Sequence, residues 1–552
     1  MPTLREKVAE FLRQVSSGSE RGCDVNSSCT SPTTGTFIQK YLNGESRKRQ
    51  PEIFFGKSCY ELPVKEISKL SDHEIAAFTG PSGGLIEVNR VQRAFQSSEP
   101  DVDFIDEDSM DSCNNIENVA TDNQEVTTNG IHPNESIKHH DGNNQENTVQ
   151  EHDFPEEEEY IAGVKNWNKP SSEAYGIATT LYECHPVTRE NAGEPIADAF
   201  GVCLRENSAI LVLADGVNWG EKSCLAARCA VHGCMDYLNK ALYREGGKIE
   251  TTLDIFICLL RSFHAAHNLI LQEDGMLTTL CAAVLCQMKD SNKFIVCTCN
   301  VGDSLAYVYS KKYGVREITQ GSHDIYSMRD MRDALGALGP VDGQNPELSN
   351  LTVAMTIVDP GDIVFLTSDG ISDNFDPVVG KFALPKKTER TAPKATIEDT
   401  PEESKIQKQE ILQRANSNGD EKHSPQAEIT LPMVEAHQRH ELTLLRMEDL
   451  LTNGVNEGDK PCETARQLCE QMIDFATKLT VAKRRILEDP ELYKDNAAAL
   501  NQLEQRRRRR KVGEKLAMVP GKLDHATVVS CKAGIQTLSP VTTLSNHRNS
   551  AI

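Results

Sequence analysis

The stretch LVLADGVNWGEKS, residues 211–223, decides how the chain is read. Four apolar residues run into Asp215-Gly216, and a small, polar segment follows. An Asp-Gly pair after an apolar run is an ordinary hairpin turn. By itself the stretch therefore leaves two readings open, a turn or a carboxylate set at the end of a buried strand. Two more stretches of the same kind shift the balance. VFLTSDGISD (364–373) carries an apolar run into Asp369-Gly370, with Asp373 four residues on. GKLDHATVVS (521–530) sets Asp524 directly before a further apolar run. Three such carboxylates are poorly explained as three hairpins. Gathered together they repel one another unless a cation joins them. An all-oxygen donor set suits Mg²⁺ or Mn²⁺ rather than zinc.

The segments around these residues predict a mixed α+β fold. AFGVCLRENSAILVLADG (199–216) reads as two strands joined by a polar turn. EKSCLAARCAVHGCMDYLNKAL and TTLDIFICLLRSFHAAHNLILQE read as two helices. MLTTLCAAVLCQ, KFIVCTCNVGDSLAYVYS, VREIT and LTVAMTIVDPGDIVFLTSDG then read as a run of strands. Strands, two helices and more strands, without regular β/α alternation, point to a sandwich. Order is expected to fade after Asp376, with helical character returning over 433–515.

The bulk numbers bound the rest. The 552 residues are 38% hydrophobic and 5% aromatic, low values that predict long unfolded stretches. Net charge is −23, but Ser98–Glu159 holds 19 Asp plus Glu against one Lys. The acidity belongs to that segment, and it argues against nucleic-acid binding there. The 17 cysteines form no C-x-x-C pair and many sit in apolar runs, as expected of buried thiols in a reducing compartment. MPTLREKVAEFLRQVSSG has no apolar signal core, Pro2 excludes the usual myristoylation signal, and no 18-residue apolar run predicts a membrane span. The expected location is the cytoplasm, and Arg506–Arg510 is either a solvated helix end or a nuclear-targeting run. The expected organisation is an N-terminal region (1–97) with an amphipathic helix at 3–16 and a small ordered arm at 51–96. An acidic disordered linker (98–160) follows, then a domain over 161–534 and a polar tail (535–552). The domain is interrupted by an insertion at about 377–462 and an extended helical segment at 480–520.

In this order the motifs resemble those of the PP2C, or PPM-type, metal-dependent protein phosphatases. Asp215-Gly216-Val217 is similar to the family's Asp-Gly-His/Met element, and LTTLCAAVL (277–285) to its Gly-Ser/Thr-Thr-Ala strand. NVGDSLAYV (300–308) resembles Asn-x-Gly-Asp-Ser-Arg, SDGISD (368–373) matches Ser-Asp-Gly-x-x-Asp, and Asp524–Val529 resembles Asp-Asn-x-Thr-Val-Val. The resemblance covers about 165–376 and 463–532, closest to the animal PP2C-like domain-containing group.

It implies an α/β-β/α sandwich, two antiparallel sheets flanked by helices. Asp215, the Gly216 carbonyl, Asp369 and Asp524 would hold two Mg²⁺ or Mn²⁺ ions that activate a water for attack on a phosphate monoester. Asp303 and Asp373 would serve a third ion. Asp198 matches an early acidic position, next to Ala197 where the family has Glu. The partner implied is a phosphoprotein, bound by a monomer. Residue by residue the alternatives are local: Asp303 in a turn, Asp373 as a cap, Asp198 as a polar strand start, and His264 with His267 on a structural helix face. The departures are Val217 at the His/Met position, Asn218-Trp219-Gly220 for Gly-Gly, Leu305 for Arg and His525 for Asn. Arg189 is the nearest candidate for the family's phosphate-gripping Arg. These departures leave open a second function, a pseudophosphatase that binds phosphoproteins or scaffolds a complex.

Overall fold

The computed structural model describes residues 41, 49–88, 160–243, 248–327, 334–386, 431–454, 460–490 and 502–536. The expected helix at 3–16, the acidic segment up to residue 159, residues 387–430 of the insertion and the tail beyond 536 lie outside the described residues.

Seventeen strands are described. They are β1 (Ile53–Gly56), β2 (Glu74–Gly80), β3 (Asn168–Lys169), β4 (Ala174–Thr180), β5 (Asp198–Arg205) and β6 (Ser208–Asp215). Then come β7 (Leu280–Gln287), β8 (Phe294–Val301), β9 (Leu305–Ser310), β10 (Gly314–Glu317), β11 (Ala337–Asp342) and β12 (Asn345–Glu347). The last are β13 (Thr352–Val358), β14 (Ile363–Thr367), β15 (Leu384–Pro385), β16 (Met433–Val434) and β17 (His525–Lys532). The helices are α1 (Glu221–Leu242), α2 (Thr252–Gln272), α3 (Asp369–Phe375), α4 (Ala436–Asn453), α5 (Ala465–Leu487) and α6 (Gln502–Met518). An eight-stranded sheet runs β1-β13-β8-β7-β6-β5-β2-β3, and a five-stranded sheet runs β10-β9-β14-β17-β4. The pairs within both are antiparallel.

The sheets stack face to face. Phe200, Leu211 and Leu213 of the larger sheet meet Val308, Leu366 and Val529 of the smaller one in a fully buried layer. The outer faces take helices: α1 lies on β5 and β6, and α5 on β4 and β17. Covered on both sides, β5 to β8 bury almost every residue, which explains their continuous apolar runs. The sandwich inferred from the motif order is the fold observed.

Two features differ from the sequence reading. The 51–88 stretch does not stand apart as an arm. It supplies β1 as an edge strand and β2 beside β5. Strands separated by more than a hundred residues leave no local signal of their pairing. Order also continues past Asp376, whose side chain accepts the N–H groups of Val378 and Val379. The described end of the insertion, α4, packs Leu444, Met447, Leu450 and Leu451 against Tyr307, Tyr309 and Val315 of the smaller sheet.

Helix α2 has the length and the mean hydropathy, 1.2, of a membrane span. Its apolar face is instead buried, with Ile255, Phe256, Leu259 and Phe263 in the interior. His267 serves this packing: its ring meets the Gln344 carbonyl at 2.9 Å and accepts the Gly339 N–H at 3.1 Å. Of the cysteines described, all but Cys184 are buried and none forms a disulfide. Burial pushes the Cys286 thiol up to about 12, as expected of a small apolar side chain.

Helices α1 and α2 approach closely at Gly233, where a Cβ would stand 2.8 Å from the Ala266 Cα. Gly233→Ala gains about 1 kcal/mol of helix propensity but forces two backbones apart, at about 1–3 kcal/mol or more. The expected net effect is destabilising, with Tm falling by several degrees in thermal unfolding followed by circular dichroism.

Candidate acidic site between the two sheets

The site begins with strand register. Asp198 opens β5 and Asp215 closes β6, and the two are directly paired across the antiparallel ladder. Directly opposed residues share a face of the sheet with Cβ atoms about 5 Å apart. Like charges placed so are destabilising on their own. Gly216 is needed for the exit from β6, because a Cβ there would lie 2.5 Å from the Ser223 carbonyl oxygen and 2.8 Å from that of Ala197. The Asp215 backbone is held by Thr279: its N–H donates to Oγ1 at 3.1 Å and its carbonyl accepts the Thr279 N–H at 2.8 Å.

The smaller sheet contributes from the other side. β14 ends at Thr367, Ser368 takes the N-cap position of α3, and Asp369 is the first residue of that helix. Asp373 follows one turn later on the same side of α3. Asp524 precedes β17, and its Oδ1 accepts the His525 N–H at 2.9 Å and the Tyr182 hydroxyl at 3.2 Å. Asp303 lies in the turn between β8 and β9 and is buried.

These carboxylates act on one another. Burial pushes the Asp215 carboxyl well above the usual range, and Asp198, Asp369, Asp524 and Asp303 push it further. Burial raises Asp198 to about 6, opposed by His525 and the nearby Thr527 and Ser368 hydroxyls and reinforced by Asp524. Neither Asp198 oxygen has a hydrogen-bond partner in ordinary geometry. Burial and then Asp369 raise Asp524, against the opposing pull of Lys522. A buried carboxylate without a donor, Asp198, set among further carboxylates, belongs to a donor set that fits a hard divalent cation.

Lys522 is the residue the sequence reading missed. Its Nζ lies 2.5 Å from Asp369 Oδ2, 2.9 Å from Asp373 Oδ2 and 3.0 Å from Asp524 Oδ2. Burial pulls its pKa down, but Asp373, Asp369 and Asp524 together outweigh that and hold the ammonium charged far above neutral pH. Asn374 fixes the Lys522 backbone, donating to its carbonyl at 3.0 Å and accepting its N–H at 2.8 Å. The only hint in the sequence is a lysine two residues before a candidate ligand.

The aromatic rim answers the question raised by the Asn-Trp-Gly loop. Trp219 does not lie in the acidic cluster. Its ring meets Tyr182 edge-on at 4.3 Å, and its Nε1 donates to the Tyr182 hydroxyl at 3.0 Å. Tyr182 in turn donates to Asp524, so a Trp-Tyr-Asp chain closes that side while Trp219 stays 56% exposed. Val217 donates its N–H to Leu277, which ties the same loop to the start of the β7 segment. His525 is buried, its Nε2 lying 2.6 Å from the Gly193 carbonyl oxygen, so it anchors the 182–195 loop. Arg189 is exposed on that loop, where its backbone N–H donates to the His185 carbonyl. Leu305 begins β9 and is buried in the layer between the smaller sheet and its helices.

A sandwich of two antiparallel sheets with aspartates converging from both defines the class of fold and site, and comparison with known proteins gives its family. The family model described as protein phosphatase 2C matches residues 187–394. The PP2C-like domain-containing protein CG9801 of Drosophila melanogaster is 37% identical, over 97% of this chain and 96% of its own length. The chain belongs to the protein phosphatase 2C family. Among solved structures it is similar to the serine/threonine phosphatase Stp1 of Staphylococcus aureus, at 18% identity over 37% of this chain and 79% of that one, TM-score 0.26. It is also similar to PppA of Pseudomonas aeruginosa, at 12% identity over 65% and 97%, TM-score 0.31.

A divalent ion that took Asp369 and Asp524 as ligands would have to displace Lys522 from them. Charge-assisted hydrogen bonds contribute about 1.5–3 kcal/mol each, so displacing even one weakens metal binding by about tenfold. Lys522→Ala is expected to bind Mn²⁺ at least about tenfold more tightly in calorimetric titration. In chelator the same variant is expected to melt several degrees below the parent, because its carboxylates lose their counter-charge.

Proposed function

We propose that the chain acts as a phosphoprotein phosphatase on phosphorylated Ser or Thr. Asp215, the Gly216 carbonyl, Asp369 and Asp524 hold two Mg²⁺ or Mn²⁺ ions, and Asp303 with Asp373 serves a third. The observation that supports this reading most is the convergence of carboxylates on Asp215 from both sheets, in a buried setting that raises its carboxyl until a cation relieves it. Divalent ions at such a site lower the pKa of a coordinated water and neutralise phosphoryl oxygens.

The chain's own residues prepare that chemistry. The ladder pairing of Asp198 with Asp215 fixes two carboxylates on rigid strands rather than on loops. Asp198 has the unengaged oxygens and raised carboxyl of a group that accepts and returns a proton near neutrality. Tyr182, braced by Trp219, donates to Asp524 Oδ1 and keeps that carboxylate oriented.

A second reading has its own observation. The Lys522 ammonium already bridges Asp369, Asp373 and Asp524. A resident cation there favours a pseudophosphatase, a module that binds phosphoproteins without turning them over.

Hydrolysis of para-nitrophenyl phosphate separates the two, measured with Mn²⁺, with Mg²⁺ and with chelator, in the parent, Asp369→Asn and Lys522→Ala. The expected outcome is metal-dependent turnover that falls at least about a hundredfold in Asp369→Asn, the order of effect of losing several kcal/mol of metal stabilisation. Turnover that emerges only in Lys522→Ala would make the lysine an internal inhibitor. No turnover in either chain would overturn the phosphatase reading and leave the binding module.

A further inference from the structure

A second cluster of ligand-type side chains lies elsewhere in the fold. Glu317 ends β10, His323 follows the short turn after it, and His440 sits in the second turn of α4, which belongs to the insertion. Glu317 is 1% exposed, and the two histidine side chains are 12% and 18% exposed. His323 Nε2 lies 3.5 Å from Glu317 Oε1, and His440 Nδ1 lies 3.5 Å from Glu317 Oε2. Three ligand atoms, one from each residue, lie within 4.8 Å of one another.

These spacings are long for hydrogen bonds, whose N···O distances centre near 2.9–3.0 Å. The two imidazole nitrogens approach different oxygens of the Glu317 carboxylate, each at close to the spacing of neighbouring ligand atoms around an ion. Zinc bonds of about 2.0–2.2 Å in tetrahedral geometry put neighbouring ligand atoms about 3.4 Å apart. The Thr319 hydroxyl donates to Glu317 Oε1 at 3.2 Å, which orients the carboxylate from behind as outer-shell partners of metal ligands do. Two imidazoles and one carboxylate suit a borderline transition ion, unlike the all-carboxylate cluster between the sheets.

We infer that Glu317, His323 and His440 form a zinc site that pins the insertion helix α4 to the edge strand β10 of the sandwich. Its fourth position falls to water. The same turn of α4 carries Arg439, which pairs with Asp376 at the end of α3, the helix of Asp369 and Asp373. Zinc at this point therefore steadies the insertion beside the helix that lines the acidic site.

The test is zinc titration of the metal-stripped full chain in millimolar Mg²⁺, by calorimetry and by elemental analysis after gel filtration. The variants are His440→Ala, Glu317→Gln and Asp369→Asn. The expected result is one equivalent of zinc in the parent and in Asp369→Asn, with affinity lowered at least about a hundredfold in His440→Ala. Zinc is also expected to raise the Tm of the parent and not that of His440→Ala. Because a variant can misfold, the parent loaded with Co²⁺ supplies an independent reading: intense visible bands of a four-coordinate ion support the site. Zinc bound equally by parent and His440→Ala, zinc lost only in Asp369→Asn, or a Co²⁺ spectrum of a hexaaquo ion would each overturn the inference. Because Asp369→Asn is measured separately, failure here is distinguishable from failure of the phosphatase reading.

Discussion

Repulsion among carboxylates is the constraint on which this structure turns. Six aspartates, at positions 198, 215, 303, 369, 373 and 524, are carried to one edge of a sandwich whose interior is apolar. Burial disfavours the ionised forms of Asp215, Asp198 and Asp524, and neighbouring aspartates add to that cost. A fold that tolerates such a concentration needs positive charge in the same place. Lys522 supplies one unit of it through three short contacts, and Asn374 sets the lysine's backbone so that the side chain reaches all three. Imbalance remains at Asp215, which burial and four neighbouring aspartates raise, and at Asp198, which burial raises to about 6.

The scaffold explains how the charge is held. Asp198 and Asp215 are locked by ladder register, and Asp369 and Asp524 by the two junctions that meet at one end of the antiparallel β14–β17 pair. The Ser368 side chain accepts the Thr527 N–H at 2.9 Å and the Ser368 N–H donates to the Thr527 carbonyl at 3.0 Å, so the two junctions are stitched together directly. Around them the departures from the family pattern become packing features. Trp219 braces Tyr182, and His525 anchors the loop on which Arg189 is exposed. A conserved-looking motif thus sits inside surroundings of this chain's own.

The insertion is part of the same mechanics. Its described helix fills the outer face of the smaller sheet with leucines and a methionine, while its first turns face Glu317, His323 and Asp376 with His440 and Arg439. Apolar burial sets where α4 lies, and the polar turn sets how it meets α3. Changes at that turn can therefore reach the acidic site without touching any of its residues.

Much of this was legible in the chain itself. The apolar runs ending in Asp215 and Asp369, and the Asp524 that begins another, identified the strands and the carboxylates, because a buried strand must be apolar until the point where it delivers a polar group. The helices α1 and α2 were equally plain from their 3.6-residue periodicity. What only the tertiary structure decided is which residues meet. β1 and β2 join the large sheet through partners far away in sequence, and pairing between distant strands leaves no local mark. Lys522 reads as a surface residue until α3 and β17 are brought together around it. Glu317, His323 and His440 have no motif spacing, since two elements and an insertion must pack before they share a corner. Local pattern determines elements and their chemistry; charge balance between distant segments is settled only by the packing that makes them neighbours.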